Sequence, residues 1–155
     1  MKEEPLRALA VRLPSLLPAA ISWAERESDR GLREGAPLAG DRQDLAARAG
    51  VVRPERVRVL LVEALPQPEE PALREAGKQA GLLAPGMIGL TLGYAIFIRR
   101  GSDSRRTISH ELRHVRQYEA AGGIAAFLPV YLLQILELGY EAAPMEADAR
   151  AHETD

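Results

Sequence analysis

Apolar positions recur along the first quarter of the chain with helical spacing. Leu6, Leu9, Leu13, Leu16, Leu17, Ala20, Ile21 and Ala24 follow an i, i+3, i+4, i+7 stripe and predict an amphipathic helix over residues 5–27. Pro14 and Pro18 fall off that stripe and are expected to kink or split it. The segment reads as a helical arm over residues 1–40, packed on the core or lying as a lid over a cleft, with Trp23 as its anchor. Residues 28–40 hold Gly31, Gly35, Pro37 and Gly40 and read as loop. A short helix capped by Asp41 and closed by Gly50 comes next.

The period then changes. Residues 56–64 alternate and are rich in Val and Leu, as a strand requires. A proline-rich connector (66–71) leads to a short helix at 72–80. Residues 89–99 read as one continuous strand, with Leu90, Leu92, Tyr94, Ile96 and Ile98 on one face. Thr91, Gly93, Ala95 and Phe97 form the other face, a small-residue surface suited to border a cleft, where an edge strand can pair with an extended peptide. Helices are expected over 105–120 and 124–138, separated by Gly122-Gly123, and again over 145–152 after a break at 139–144. These elements predict an α+β fold, a small sheet containing 56–64 and 89–99 packed on the helix that follows it. The 155 residues are expected to form one domain with its core in 41–155.

Composition narrows the chemistry. Hydrophobic residues make up 46% and charged residues 27%, so a real core is expected and wholesale disorder is excluded. A net charge of −2 offers no global field for nucleic acid. The longest apolar stretch, 124–136, is too short to span a bilayer and contains Pro129 and Gln134. The N-terminus is mixed in charge, its apolar run is broken by Pro14 and Pro18, and it lacks a convincing small-x-small cleavage site, so a cytoplasmic protein is expected. There is no Cys, so disulfides, thiol catalysis and thiolate metal sites are excluded. A metal site must use Asp, Glu or one of three His, at 110, 114 and 152.

Two of those three stand in His110-Glu111-Leu112-Arg113-His114, an H-E-x-x-H on a helical pattern. Residues four apart on a helix differ by about 40° in direction and about 6 Å in height, so both imidazoles can reach one ion. Glu111 points to one side, beside the ion, where it can hold and deprotonate a water. Ile108, Leu112 and Val115 lie opposite and bury the helix. Catalytic zinc usually takes a third protein ligand. The pattern with Gly at 117 and His at 120 is excluded by Gln117 and Ala120. His152 or a downstream carboxylate remains.

At this point the chain resembles a gluzincin-type zinc metallopeptidase domain of the zincin superfamily. More narrowly, residues 91–98, 110–119 and 140–149 are similar to small bacterial HExxH proteins that follow a strand, HExxHxxQ helix, long helix, Pro-x-Glu order. The resemblance spans about 85–152 and leaves the N-terminal half unexplained. It implies that His110 and His114 bind Zn²⁺, that Glu111 is the general base for a zinc-activated water, and that Glu146 is the third ligand. The excursion through 124–138 and the break after it suit a helix that runs away and returns. Asp148, His152 and Glu141 are the rival ligands. Many gluzincins carry a polar group four residues after the ligand Glu to support a ligand His; here that position is Arg150, which leaves the outer partner of His110 unassigned.

Gln117 faces the histidine side, where it can support a ligand from outside. Tyr118 and Tyr140 can each donate to an oxyanion or simply pack. The arginines around the HExxH helix and the acidic residues of 141–155 favour docking of the two segments. The expected function is therefore zinc-dependent hydrolysis of a peptide or protein substrate. The alternative is a non-catalytic metal-binding or interaction domain that keeps the fold.

Overall fold

The computed structural model describes residues 3–155. Six helices surround a four-stranded sheet: α1 (Glu3–Glu34), α2 (Asp41–Ala49), α3 (Pro71–Gln79), α4 (Arg105–Ala121), α5 (Ile124–Leu138) and α6 (Pro144–Ala151). The strands β1 (Ala36–Pro37), β2 (Arg58–Val62), β3 (Gly89–Leu92) and β4 (Ala95–Arg99) lie in the order β1-β2-β4-β3. β2 and β4 run parallel, and the outer pairs are antiparallel. The fold is α+β, a mixed sheet with the HExxH helix α4 packed against it.

Each sheet face has its own core. Val59, Ile96 and Ile98 meet Leu45, Ala46 and Ala49 of α2 and Ile108, Leu112 and Val115 of α4. On the opposite face Leu92, Ala95 and Phe97 cluster with Ala24 of α1 and with Phe127 and Leu128 of α5. α4 is thus fixed by its apolar stripe, and its remaining flank is left for other work. Ser104 caps its start by accepting the Thr107 N–H, and Gly122 ends it in the left-handed conformation at φ 100°. The chain bends by 115° at Gly122-Gly123 and enters α5.

Three expectations are corrected. First, α1 runs through Pro14 and Pro18 without splitting and continues to Glu34, so residues 28–34 are helix and not loop. Both prolines are exposed, which leaves the carbonyls they orphan within reach of water. Gly31 is no breaker: a Cβ there would stand 2.7 Å from Ala95 Cβ, so the glycine lets α1 lie close on the sheet. Ala36–Pro37 then forms the edge strand β1, also inside the expected loop. Second, 89–99 is a hairpin. Leu92 pairs with Ala95 across a two-residue turn in which Gly93 has φ 67°. Third, the hairpin changes which side chains share a face. Thr91 pairs with Ile96 and Gly89 with Ile98, facing α4, whereas Ala95 and Phe97 face α1. The cleft-bordering face expected from Thr91, Gly93, Ala95 and Phe97 therefore reduces to Thr91, joined by Gly89. β3 is an edge strand.

α1 packs along α5 and across the sheet. Among the described residues, no single helix is long and apolar enough to cross a membrane.

Candidate metal centre

The flank of α4 that the core does not use faces α6. His110 and His114 project from it with ring centroids 5.0 Å apart and planes at 74°. α6 begins at Pro144, whose fixed φ suits the first helical position. Two residues on, in the first turn where the helix dipole favours a carboxylate, comes Glu146. Its side chain is 1% exposed. His110 Nε2 lies 3.2 Å from Glu146 Oε1 and His114 Nε2 lies 3.0 Å from Oε2. Among the described residues this is the one His/Asp/Glu group of three whose donor atoms all lie within 4.8 Å of one another.

A staple holds the two helices in register. Gln117 Nε2 donates to Met145 O and to Asp148 Oδ2, both at 2.9 Å, while its Oε1 meets His114 Nδ1 at 2.8 Å. Gln134 accepts the Met145 N–H from α5. Arg113 pairs with Asp148 at 2.7 Å and reaches Ala49 O on α2 at 2.8 Å. Arg106 lies 3.5 Å from Glu153. The basic helix and the acidic C-terminal stretch thus do dock.

The staple also decides which nitrogens are bare. With its amide donating to Met145 O and Asp148, Gln117 offers His114 an acceptor. Nδ1 must therefore carry the proton, and Nε2 has a lone pair in the neutral ring. His110 is arranged alike, with Nδ1 3.5 Å from Glu153 Oε1 and Nε2 toward Glu146. Two imidazole nitrogens thus aim at one carboxylate, an arrangement completed by protons or by a cation between them. Tetrahedral zinc at about 2.0 to 2.2 Å from each donor would bring such atoms to roughly 3.4 Å from one another. One donor atom from each of the three residues lies within 4.8 Å of the others, which leaves room for an ion, and the His₂Glu donor set suits zinc. Without a cation, burial pulls His114 down, but the Glu146 and Glu111 carboxylates outweigh it and raise it to about 9. Burial pushes Glu146 up, yet its bonds to His110 and His114 hold it well below the usual carboxylate range.

Glu111 is buried and turned toward β3. Thr91 Oγ1 donates to its Oε2 at 2.6 Å, and Gly89 leaves room for the carboxylate. A Cβ at Gly89 would sit 2.6 Å from Glu111 Oε1. This acid flanks the triad without joining it.

The other expected residues fall as follows. Asp148 is taken up by Arg113 and Gln117, and burial matters less to it than the Arg113 guanidinium, which lowers its pKa. His152 Nδ1 lies 2.8 Å from Asp148 O, away from the triad's donor atoms. Glu141 is exposed, and its carbonyl accepts the Arg150 guanidinium, so Arg150 does not hold Glu146. Tyr118 stacks on Phe127 with centroids 3.8 Å apart and donates to Thr91 O at 3.1 Å. Tyr140 lines the cleft near Glu146; burial first, then that charge, push its hydroxyl pKa up. Two partners escaped sequence reasoning. Tyr131 donates to Glu146 Oε2 at 2.8 Å, and Glu153 stands outside His110. Neither bears a fixed spacing to the motif; a tyrosine on a mostly apolar helix was the one visible hint.

Two members of the triad, His114 and Glu146, line a cleft of about 160 Å³ between α1, α3, β3 and α5, together with Glu111 and Tyr140. No family model matches the chain, and no curated protein or solved structure matches it. On its own geometry the chain carries an HExxH-type zinc-binding triad within a helix, His110-Glu111-x-x-His114 completed by Glu146, consistent with a gluzincin-like zincin domain.

Proposed function

We propose that this protein is a zinc-dependent hydrolase of amide bonds, acting on a peptide or protein substrate. The observation that carries the reading is the pair of imidazole Nε2 atoms converging on Glu146 beside a separate carboxylate, Glu111, on the wall of a cleft. Zinc held by His110, His114 and Glu146 would supply Lewis acidity, lowering the pKa of water to about 7 and polarising a carbonyl. Glu111 then holds the attacking water. Thr91 occupies Oε2, so Oε1 is the atom that takes the proton and delivers it to the leaving nitrogen. Gln117 and Tyr131 keep His114 and Glu146 aimed. Tyr140, whose hydroxyl stays protonated at neutral pH, can donate to the substrate oxygen.

Glu111→Gln tests this directly. It keeps the shape of the side chain and removes its basicity. The expected result is zinc retained at one per chain by plasma mass spectrometry, with hydrolysis of a peptide library down by about 10²- to 10⁴-fold. Hydrolysis at the parent rate would overturn the mechanism.

A further inference from the structure

Residues 69–84, which are α3 and its approaches, form one side of the cleft that His114 and Glu146 line. Leu73, Ala76, Leu82 and Leu83 of this segment stand on the cleft wall. All four are only half-buried, and no residue of 69–84 is buried. None belongs to either core. α1, by contrast, is a fixed wall: it packs along α5 and across the sheet, and α3 packs on it.

Polar ties are as few. Among the described residues no ion pair reaches 69–84. Its hydrogen bonds run within the segment or to its own flanks. Gln67 Nε2 donates to Leu83 O at 3.2 Å, and the Leu83 N–H donates to Met87 Sδ at 3.0 Å. The Gln67 bond brings the two ends of the segment together, so it leaves the body of the protein and returns at one place. Those ends are anchored. Leu65, Pro66 and Pro68 are buried at the entry, and Arg99 of β4 donates to Pro85 O at 3.2 Å and to Ile88 O at 2.9 Å at the exit. A stretch with few buried apolar contacts between two fixed ends belongs to the least stable part of a fold.

Trp23 adds a cost to the closed arrangement. It stands where the segment meets α1, on the wall of the cleft and of an adjoining groove that Pro68 and Leu73 also line. Its indole N–H is, among the described residues, the one buried side-chain donor without an acceptor. Such a group destabilises the arrangement that buries it.

We infer that residues 69–84 are a lid, which lifts from α1 to admit ligand to the triad and closes over the apolar part of that ligand. Opening gives the Trp23 N–H to water. Closing on an apolar side chain completes the burial of Leu73, Ala76, Leu82 and Leu83, which the free protein leaves half done. Ligand and lid are thereby coupled, because the ligand binds the closed state better. The lid governs access alone and stands whether or not the site hydrolyses.

Trp23 is the only tryptophan, so its fluorescence reports the lid without metal or turnover. Acrylamide quenching is measured on the full-length protein, alongside thermal melts by far-UV circular dichroism. Leu73→Asp sets a carboxylate against the apolar wall and should hold the lid open, raising the quenching constant at least about twofold. Tm should hold, because the segment is in neither core. Lys78→Asp, on the exposed side of α3, is the control and should change neither reading. In the parent, N-acetyl-leucinamide should lower the constant. Parent-level quenching in Leu73→Asp, or an equal rise in Lys78→Asp, overturns the lid. So does a rise that comes with a fall in Tm of about 5 °C or more, which would make 69–84 part of the body of the protein. A parent constant that N-acetyl-leucinamide leaves unmoved overturns closure on an apolar ligand. None of these readings uses zinc, so they stand apart from the Glu111→Gln test of the hydrolase.

Discussion

Gly89→Ala is a small change with a large expected effect. The added Cβ would stand 2.6 Å from Glu111 Oε1, 3.0 Å from Cδ and 3.1 Å from Cγ. Ordinary contact begins at 3.4 Å, so the carboxylate must retreat by about 0.8 Å, the difference of 3.4 and 2.6. The atom displaced is the one that takes the water proton, and the Thr91 bond that aims the carboxylate, 2.6 Å long, is strained with it. Misplacement on this scale costs on the order of 100-fold in kcat. The fold should tolerate it. Gly89 is not among the glycines with positive φ, and alanine in a strand is favoured over glycine by about 0.5 to 1 kcal/mol. The three atoms nearest the new methyl all belong to Glu111, so the disturbance falls first on that side chain. Steady-state kinetics, zinc content and a thermal melt on one preparation separate these effects. We expect kcat to fall, zinc to stay at one per chain and Tm to hold. In a Glu111→Gln background the same substitution should cost nothing further. Parent-level kcat at full zinc occupancy would refute the placement of Glu111, and so would an undiminished penalty in the double variant.

Glu146→Ala should abolish stoichiometric zinc, while Asp148→Ala and His152→Ala keep it in a plasma mass-spectrometric assay; retention by Glu146→Ala would remove the third ligand. Tyr131→Phe deletes the donor to Glu146 Oε2 and is expected to weaken zinc affinity about 10- to 100-fold in a competitive chelator titration. Unchanged affinity would make that hydroxyl a bystander. Metal-free protein should show a two-sided pH dependence in denaturant melts. His114 is lowered by burial but raised overall, by Glu146 and Glu111, from 6.5 to about 9, so the stability it adds is full below about pH 6.5 and is lost as pH rises through 9. Glu146 lies below its ordinary 4.5, so its contribution is present above pH 4.5 and is lost as pH falls through its lower folded value. A flat profile between pH 6.5 and 9 would contradict the His114 environment.

The site was legible where its chemistry is local. The four-residue spacing of His110 and His114 is helix geometry, and the apolar positions of α4 fix which flank is free. Glu146 came from resemblance and chain reach together. What could not be read was set by tertiary contact. Gly31 looks like a loop residue in a string, yet it lies inside α1, where its missing Cβ makes room for Ala95. Gly93-Tyr94 sits inside an unbroken apolar alternation, so the pattern carried no sign that the strand folds on itself. That single turn reversed the facing of Thr91 relative to Phe97 and with it the identity of the residues around Glu111. Tyr131 and Glu153 meet the triad across distances in sequence that no periodicity encodes.

The last residues of the chain lie back along α4. The Thr154 N–H donates to Ser109 Oγ at 2.8 Å, Arg105 reaches the Asp155 carbonyl, and Glu153 faces both His110 and Arg106. Whatever is joined after Asp155 is therefore coupled through Glu153 to the outer nitrogen of the His110 imidazole. An affinity tag or fluorescent fusion placed there is expected to change how tightly the triad takes up added zinc, which a chelator titration with and without the fusion would read.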